Sequence, residues 1–394
     1  MDIAGNKNTA TYVSAMSEKV NELCANSTDN CYCLAQMCPI VYNHSVWLKE
    51  KCYMEKCFIS KRALDDVMLY RVTALYAFIF LVGVFGNVTT CLVMKRHPLM
   101  KTHASMYLFN LAVSDLVTLT VGLPFEVMMN WNQYPWPFPD CICNLKALIA
   151  ETTSSVSMLT ILVFAVERYV AICHPLYLMK VQPFKRNIRS IIWFTWIFSI
   201  FCAMPFAIHH RTDFMIKSWP YTNNNEPVLS SKLCMVAVMF DRSLEPTFKK
   251  LFHFSAIAFF VIPLLAILIL YARIACQVSK SSRIQMQRES DGREELQMRI
   301  NAILCSIVLS FFICYLPFQM QRLLFFYVDN EWILLINQYI YFISGFLFYL
   351  ATIVNPILYN LVSSRFRKAS KDILLALIFH KSIDYQRTVS KYSM

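Results

Sequence analysis

Seven long runs of apolar residues, near 70–94, 104–129, 143–173, 190–210, 251–275, 300–328 and 332–361, alternate with polar stretches along the chain. Each run reaches the roughly 20 residues that a helix needs to cross the hydrocarbon core of a bilayer. The pattern predicts an all-α membrane protein, a seven-transmembrane helix bundle. It divides the chain into a Cys-rich tail over 1–69, a seven-span domain over 70–361 and a final segment over 362–394. In that last segment Phe366, Ile373, Leu374 and Leu377 form an apolar stripe against Arg365, Arg367, Lys368 and Lys371. Such a stripe predicts an amphipathic helix lying on the inner membrane surface. The link at 276–297 mixes Arg283, Arg288, Glu289, Arg293, Glu294 and Glu295, and reads as solvated extensions of the fifth and sixth runs rather than an inserted domain.

Composition agrees, since 57% of the 394 residues are hydrophobic and 16% charged, a balance that a soluble domain rarely has. Orientation follows from Lys and Arg in short loops. Lys95, Arg96 and Lys101 lie on one side, joined by Lys180, Lys185, Arg186 and Arg189, while 130–142 and 329–331 on the other side carry no Lys or Arg. The basic side is cytosolic, which places the C-terminus inside, the N-terminus outside and the protein in the plasma membrane. Lys61, Arg62 and Arg71 flank the first run on the outer side as densely as its inner flank, so the later loops decide. Much of the net charge of +12 therefore faces anionic headgroups and an acidic partner, and nucleic acid is not an expected partner. Met1 to Tyr12 is polar and shows no cleavable signal, so the first span is expected to do the targeting.

Six of the fifteen cysteines, Cys24, Cys31, Cys33, Cys38, Cys52 and Cys57, fall in the outer tail, and Cys141, Cys143 and Cys234 in outer loops. An oxidising exterior favours disulfides there, with fifteen connectivities open for the six tail cysteines. A zinc site in the tail is the competing reading. Cys141 is left free, in competition with Cys143, or paired with the tail. Asn26-Ser27-Thr28 and Asn43-His44-Ser45 fit the N-glycosylation pattern; Asn87-Val88-Thr89 fits it too but lies inside the first run.

Three motifs place polar groups at membrane depth: Leu111-Ala112-Val113-Ser114-Asp115, Glu167-Arg168-Tyr169, and Asn355-Pro356-Ile357-Leu358-Tyr359. Ionisable groups at such depth are functional candidates. Pro356 frees a carbonyl one turn back, which a side chain such as Asn355, or water, must satisfy. Together the motifs resemble the rhodopsin-like (class A) G-protein-coupled receptors.

That resemblance implies a Cys143–Cys234 disulfide and a sodium pocket at Asp115, Ser157 and Asn355, for which plain interhelical glue is the alternative. It implies that Glu167 holds Arg168 at rest, beside Tyr169, until span six swings about Phe311, Tyr315 and Pro317. Most relatives carry Trp where this chain has Tyr315. Pro263, Met158 and Phe311 match a core triad that repacks, for which plain core is the alternative, and Tyr271 and Tyr359 match two tyrosines that approach through water. Arrestin is a further partner to consider, and Thr388, Ser390 and Ser393 are candidate phosphorylation sites.

The resemblance narrows at Leu108 to Asp115, Leu123-Pro124-Phe125-Glu126-Val127, Glu151 and Val166 to Ile172 to the neuromedin U and pyrokinin receptors, over roughly 70–370. Ala150 lies where amine receptors place an Asp. Receptors of this group recognise peptides ending in Pro-Arg-Xaa-amide, so Glu126 and Glu151 are expected to clamp the arginine, whose planar donors match carboxylates. Arg322 is expected to accept a ligand carbonyl or to balance Glu151, and an internal salt bridge is the competing reading. The protein is then no enzyme and needs no metal or cofactor apart from an allosteric sodium ion. It activates a heterotrimeric G protein, with Gq and calcium release implied. The alternatives are a ghrelin-, motilin- or neurotensin-like peptide receptor, and a seven-span transporter, which should show repeats or paired broken helices; neither is visible.

Overall fold

The computed structural model describes Cys52, Arg62 and residues 64–177, 183–217, 227–285, 292–327 and 331–379. The other five tail cysteines, the Asn26 and Asn43 sequons and Thr388, Ser390 and Ser393 lie outside the described residues. Among the described residues seven helices are long and apolar enough to cross a membrane, one on each predicted run: Asp66–Arg96, His103–Trp131, Asp140–Cys173, Asn187–His209, Glu245–Val278, Val308–Tyr327 and Tyr339–Leu361. They are spans one to seven below. Span five continues helically to Gln285, and the helix of span six begins at Gly292, as the link composition predicts.

The chain forms two compact units, one of Met1–Arg71, Glu126–Cys143 and His210–Phe240, the other of Val72–Phe125, Asn144–His209 and Asp241–Met394. The first contains a feature that the all-α reading lacks, a hairpin of β1 (His210–Phe214) and β2 (Lys232–Val236) paired antiparallel with Thr212 opposite Cys234. Cys143 and Cys234 form a disulfide with Cα atoms 5.7 Å apart. Lys232 Nζ reaches Asp140 Oδ1 at 2.6 Å, and Tyr134, Ile216, Val228 and Leu233 pack as a small core beside the hairpin. The strands are five residues each and carry no strong turn dipeptide, so their pairing depends on these tertiary ties rather than on local propensity. Cys52 is also disulfide-bonded, whereas Cys141 is exposed and free.

The second unit is the helical bundle. Close approach of spans one, two and seven depends on Gly83, where an added Cβ would sit 2.6 Å from Leu119 Cδ1 and 2.9 Å from Ile353 Cγ2. Without hydrophobic drive between helices in lipid, small residues and interhelical hydrogen bonds supply the association. Asn110 shows the second device: its amide donates to Thr160 Oγ1 at 2.8 Å on span three, and its carbonyl accepts from Trp196 Nε1 at 2.8 Å on span four. Span four otherwise presents Trp193, Phe194 and Phe201 outward, a surface suited to lipid.

Two prolines set the irregular turns. Pro124 and Pro263 have no N–H to donate four residues back, and their rings crowd the carbonyl there. In each case the residue before the proline bonds five residues back instead, Leu123 N–H to Thr118 O and Ile262 N–H to Ile257 O, giving π-turns over Thr118–Gly122 and Ile257–Val261.

The final helix, Ser364–Phe379, departs from its predicted stripe. Phe366 and Ile373, with Ala369 between them, are buried on the protein, with the Phe366 and Tyr359 rings edge to face at 5.8 Å between centroids, whereas Leu377, Ile378 and Phe379 are exposed. Positions spaced by three, four and seven residues share one helix face, so the face holding Phe366 is used by span seven, and only the later apolar residues are left for a bilayer surface. Arg367 Nη1 caps the end of span seven by donating to the carbonyls of Asn360 and Leu361 at 3.0 and 2.7 Å.

Candidate functional site

Span three carries polar groups at three levels. Glu151 lies eight residues from Cys143, about 12 Å along a helix axis at 1.5 Å per residue, and points toward span six. There Arg322 Nη2 stands 2.9 Å from Glu151 Oε1, and Nη1 donates to Oε2 at 3.1 Å, a two-point ion pair. Both side chains are mostly buried, 9% and 15% exposed, so the pair is shielded from water. The Arg322 guanidinium also lies over three rings, 4.4 Å from the centroid of Phe252, 5.0 Å from Phe206 and 5.3 Å from Phe318. Cation–π attraction of this kind grows when the cation is desolvated. Phe206, Phe252 and Phe318 thus join spans four, five and six around one charge. Glu126, half-buried in the helix Leu123–Trp131, belongs to the other compact unit.

Near the middle of span two, buried Asp115 accepts from Asn355 Nδ2 at 3.0 Å on span seven. Asn355 is therefore committed to a carboxylate, and the carbonyl freed by Pro356, that of Thr352, is met elsewhere. Asn87 Nδ2 donates to Thr352 O and to Gly83 O, both at 2.9 Å. The residue set aside as a sequon inside span one thus does the work first expected of Asn355. Ser157 Oγ donates to Ser114 Oγ at 3.1 Å, Ser114 Oγ to Thr153 O at 3.0 Å, and Thr118 Oγ1 to Thr153 Oγ1 at 2.9 Å. These hydroxyls form a buried ladder between spans two and three, running from beside Asp115 toward the level of Glu151. A carboxylate is an oxygen ligand of the kind a hard cation takes, and Ser157 is engaged by Ser114 in this arrangement.

At the far end of span three, Arg168 Nη2 pairs with buried Glu167 Oε1 at 3.0 Å, and Arg168 Cζ lies 5.3 Å from the Phe164 ring. Tyr169 Oη meets His174 Nε2 at 3.2 Å. On span six Phe311 and Tyr315 stack at 3.9 Å and 16°, with Phe348 of span seven 5.3 Å from Tyr315, and Tyr315 lies within one helical turn of Pro317. Met158 and Pro263 are buried, Tyr271 is half-buried, and Tyr359 is buried against Phe366.

Comparison with known proteins accounts for this distribution of polar groups. The family model of the 7 transmembrane receptors (rhodopsin family) matches residues 86–359. The chain belongs to that family. The receptor is 34% identical over 315 residues to human neuromedin-U receptor 2, covering 79% of this chain and 72% of that protein. It is 30% identical over 365 residues to the pyrokinin-1 receptor of Drosophila melanogaster, with 77% and 79% covered, and 31% identical over 350 residues to the human motilin receptor, with 80% and 84% covered. It is a multi-pass membrane receptor and not an enzyme. The aromatic ring around Arg322, the hydroxyl ladder and the role of Asn87 escaped the sequence reading. Only the ladder left a trace there, in the run of hydroxyls at Thr152-Thr153-Ser154-Ser155 and Ser157 opposite Ser114 and Thr118.

Proposed function

We propose that the receptor answers an amidated peptide of the Pro-Arg-Xaa class and passes the signal to a heterotrimeric G protein, of the Gq class, with calcium release. The observation that carries this reading is the two-point Glu151–Arg322 pair, which ties span three to span six in a receptor similar to neuromedin-U and pyrokinin receptors. A peptide guanidinium has the same planar donor fork as Arg322 and exchanges with it on Glu151, and Glu126 is a separate candidate contact for the ligand. The released Arg322, still held by its phenyl rings, takes a ligand carbonyl. The tie between spans three and six is then broken by the ligand itself.

Activation is a population shift. A ligand that prefers the open state tenfold moves the equilibrium by about 1.4 kcal/mol, and a full switch needs roughly 5.5 kcal/mol. Exchange at Glu151 is a differential contact of the required kind, because it is made only when Arg322 has left. Span six then moves about Phe311, Tyr315 and Pro317, and Arg168 leaves Glu167. Pro356, Tyr271 and Tyr359 belong to the same rearrangement. Asp115 with Ser157 would hold a sodium ion, which supplies a counter-charge for the carboxylate, while Asn355 orients that carboxylate. Orientation follows the basic loops, with the tail over 1–69 outside, the seven spans over 70–361, and the segment over 362–394 at the cytosolic face of the plasma membrane.

The test is a calcium response in cells expressing the receptor, titrated with amidated Pro-Arg-Xaa peptides, their free acids and unrelated amidated peptides. Saturable responses to the amidated forms are expected, with potency reduced at least about tenfold in Glu151→Gln and in Glu126→Gln, since each loses a charge-assisted contact. Equal potency in both variants at matched surface expression would remove the arginine clamp, and silence of the whole panel would remove the ligand class.

A further inference from the structure

The helix of span six runs to Leu324 and tightens into a 3-10 turn over Phe325–Tyr327. Fewer residues per turn re-aim the side chains that follow, and Tyr327 lies against span five. There Lys249 Nζ sits 4.1 Å from the centroid of the Tyr327 ring, and the Tyr327 hydroxyl meets His253 Nε2 at 3.1 Å. His253 Nδ1 stands 2.6 Å from Lys249 O. A carbonyl only accepts, so Nδ1 carries the proton and, in the neutral ring, Nε2 accepts from Tyr327. A phenol that donates in this way becomes richer in electrons on its ring face, so the bond to His253 and the attraction to Lys249 strengthen each other. Lys249 and His253, one turn apart on span five, thus grip one residue of span six from two directions. Phe252, next to His253, carries the grip toward the ligand site: it lies 4.4 Å from the Arg322 guanidinium and 5.4 Å from the ring of Phe326, the neighbour of Tyr327.

We propose that Tyr327 is a positioning residue of the ligand response, and that its grip by Lys249 and His253 makes spans five and six move as a pair when Arg322 leaves Glu151. The inference rests on the proposed exchange of guanidinium groups at Glu151. Spans five and six are joined at two successive levels, Phe252 with Arg322 and Phe326, then Lys249 and His253 with Tyr327. The tie from span three to Arg322 is the Glu151 pair, which a competing guanidinium replaces. Exchange therefore removes the tie to span three and leaves both ties to span five. Were the Tyr327 end free, span six would relax there alone, and the loss of the Glu151 tie would not reach Pro317 lower on the same span. With that end fixed to span five, the change is carried down span six to its bend. The grip then belongs to the coupling free energy between peptide and G protein, rather than to the binding of either one alone.

The experiment uses the full chain in nanodiscs of phosphatidylcholine and phosphatidylglycerol, with a labelled amidated Pro-Arg-Xaa peptide. Its Kd is measured alone and with a saturating nucleotide-free heterotrimer, whichever of the four Gα classes tightens it most, and the ratio of the two values reads the coupling. The wild-type ratio is expected to be at least about fivefold. Lys249→Met and Tyr327→Phe each lose one half of the grip and are expected to lower the ratio about two- to fivefold, the worth of an exposed cation–π contact or of a neutral hydrogen bond. Tyr327→Leu loses both halves and is expected to bring the ratio close to one, whereas Lys249→Arg, which still places a cation on the ring, keeps it. The Kd without G protein is expected to stay within about twofold of wild type throughout. A merely structural contact would weaken that Kd or the thermal stability and leave the ratio unmoved. A wild-type ratio in Tyr327→Leu, with or without a weaker Kd, therefore overturns the proposal and leaves the peptide reading intact. Should Tyr327→Leu not reach the nanodisc, wild-type ratios in both Lys249→Met and Tyr327→Phe overturn it equally. Absence of saturable binding of any such peptide to the wild type overturns the peptide reading, and the proposal falls with it.

Discussion

Removing one member of the Glu151–Arg322 pair leaves its partner as a buried charge, and breaking such a pair costs about 3–5 kcal/mol where the remaining ion cannot reach water. Arg322→Ala is therefore expected to lower the unfolding temperature of the ligand-free receptor more than Glu151→Gln, because it also empties the space between Phe206, Phe252 and Phe318. Thermal unfolding in detergent checks the order, and the charge-reversed double variant Glu151→Arg/Arg322→Glu should recover part of the loss. Asn87 supplies a second test at this scale. Asn87→Leu strands the carbonyl of Thr352, to which Pro356 has no N–H to give, at about 1–3 kcal/mol for a buried unmet acceptor, so a fall in unfolding temperature is expected with no dependence on ligand. An Asn87→Leu receptor as stable as wild type would mean that Thr352 O needs no side-chain donor. These contacts also mark how far a sequence can be read. Asp115 and Arg168 stood out because charges are rare in apolar runs, whereas the three rings on Arg322 are apolar residues in apolar spans, and nothing local separates a phenylalanine facing a cation from one facing lipid.

Helices were legible as elements because a lipid core demands a long apolar run for each, and the link after span five read correctly from its alternating charges. The hairpin of β1 and β2 was not, since five-residue strands held by a disulfide and by Lys232–Asp140 carry little local signal. The π-turns sit next to prolines that were visible, but whether a proline bends, breaks or widens a helix depends on neighbouring spans. Element packing gives its own prediction at Gly83. The Leu119 tip can shift, but Ile353 Cγ2 is fixed by its branch at Cβ, so a methyl group 2.9 Å away forces span one outward. Overpacking of this kind costs about 1–3 kcal/mol. Gly83→Ala should lower surface expression and unfolding temperature, and Ile353→Ala in the same chain should restore part of both. Absence of any effect in Gly83→Ala would show that spans one and seven are not held at this spacing.

For the whole molecule, orientation decides which face meets ligand and which meets G protein. Seven spans put the two ends of the chain on opposite sides, and the proposed orientation takes the side with the Lys and Arg loops as the inside. Lys and Arg near the first span are balanced across it, so the inference depends on Lys180, Lys185, Arg186 and Arg189 and on Arg365, Arg367, Lys368 and Lys371. If it is right, an epitope added after Met394 is reached by antibody only in permeabilised cells, and the tail sequons at Asn26 and Asn43 face the glycosylating compartment. Endoglycosidase treatment should then sharpen and lower the apparent mass of the wild-type receptor, and the Asn26→Gln/Asn43→Gln variant should already run at the lower mass. A C-terminal epitope stained on intact cells would invert the receptor. Glu151 and Arg322 would then lie nearer the cytosolic face and Arg168 nearer the outside, and the peptide reading would not survive.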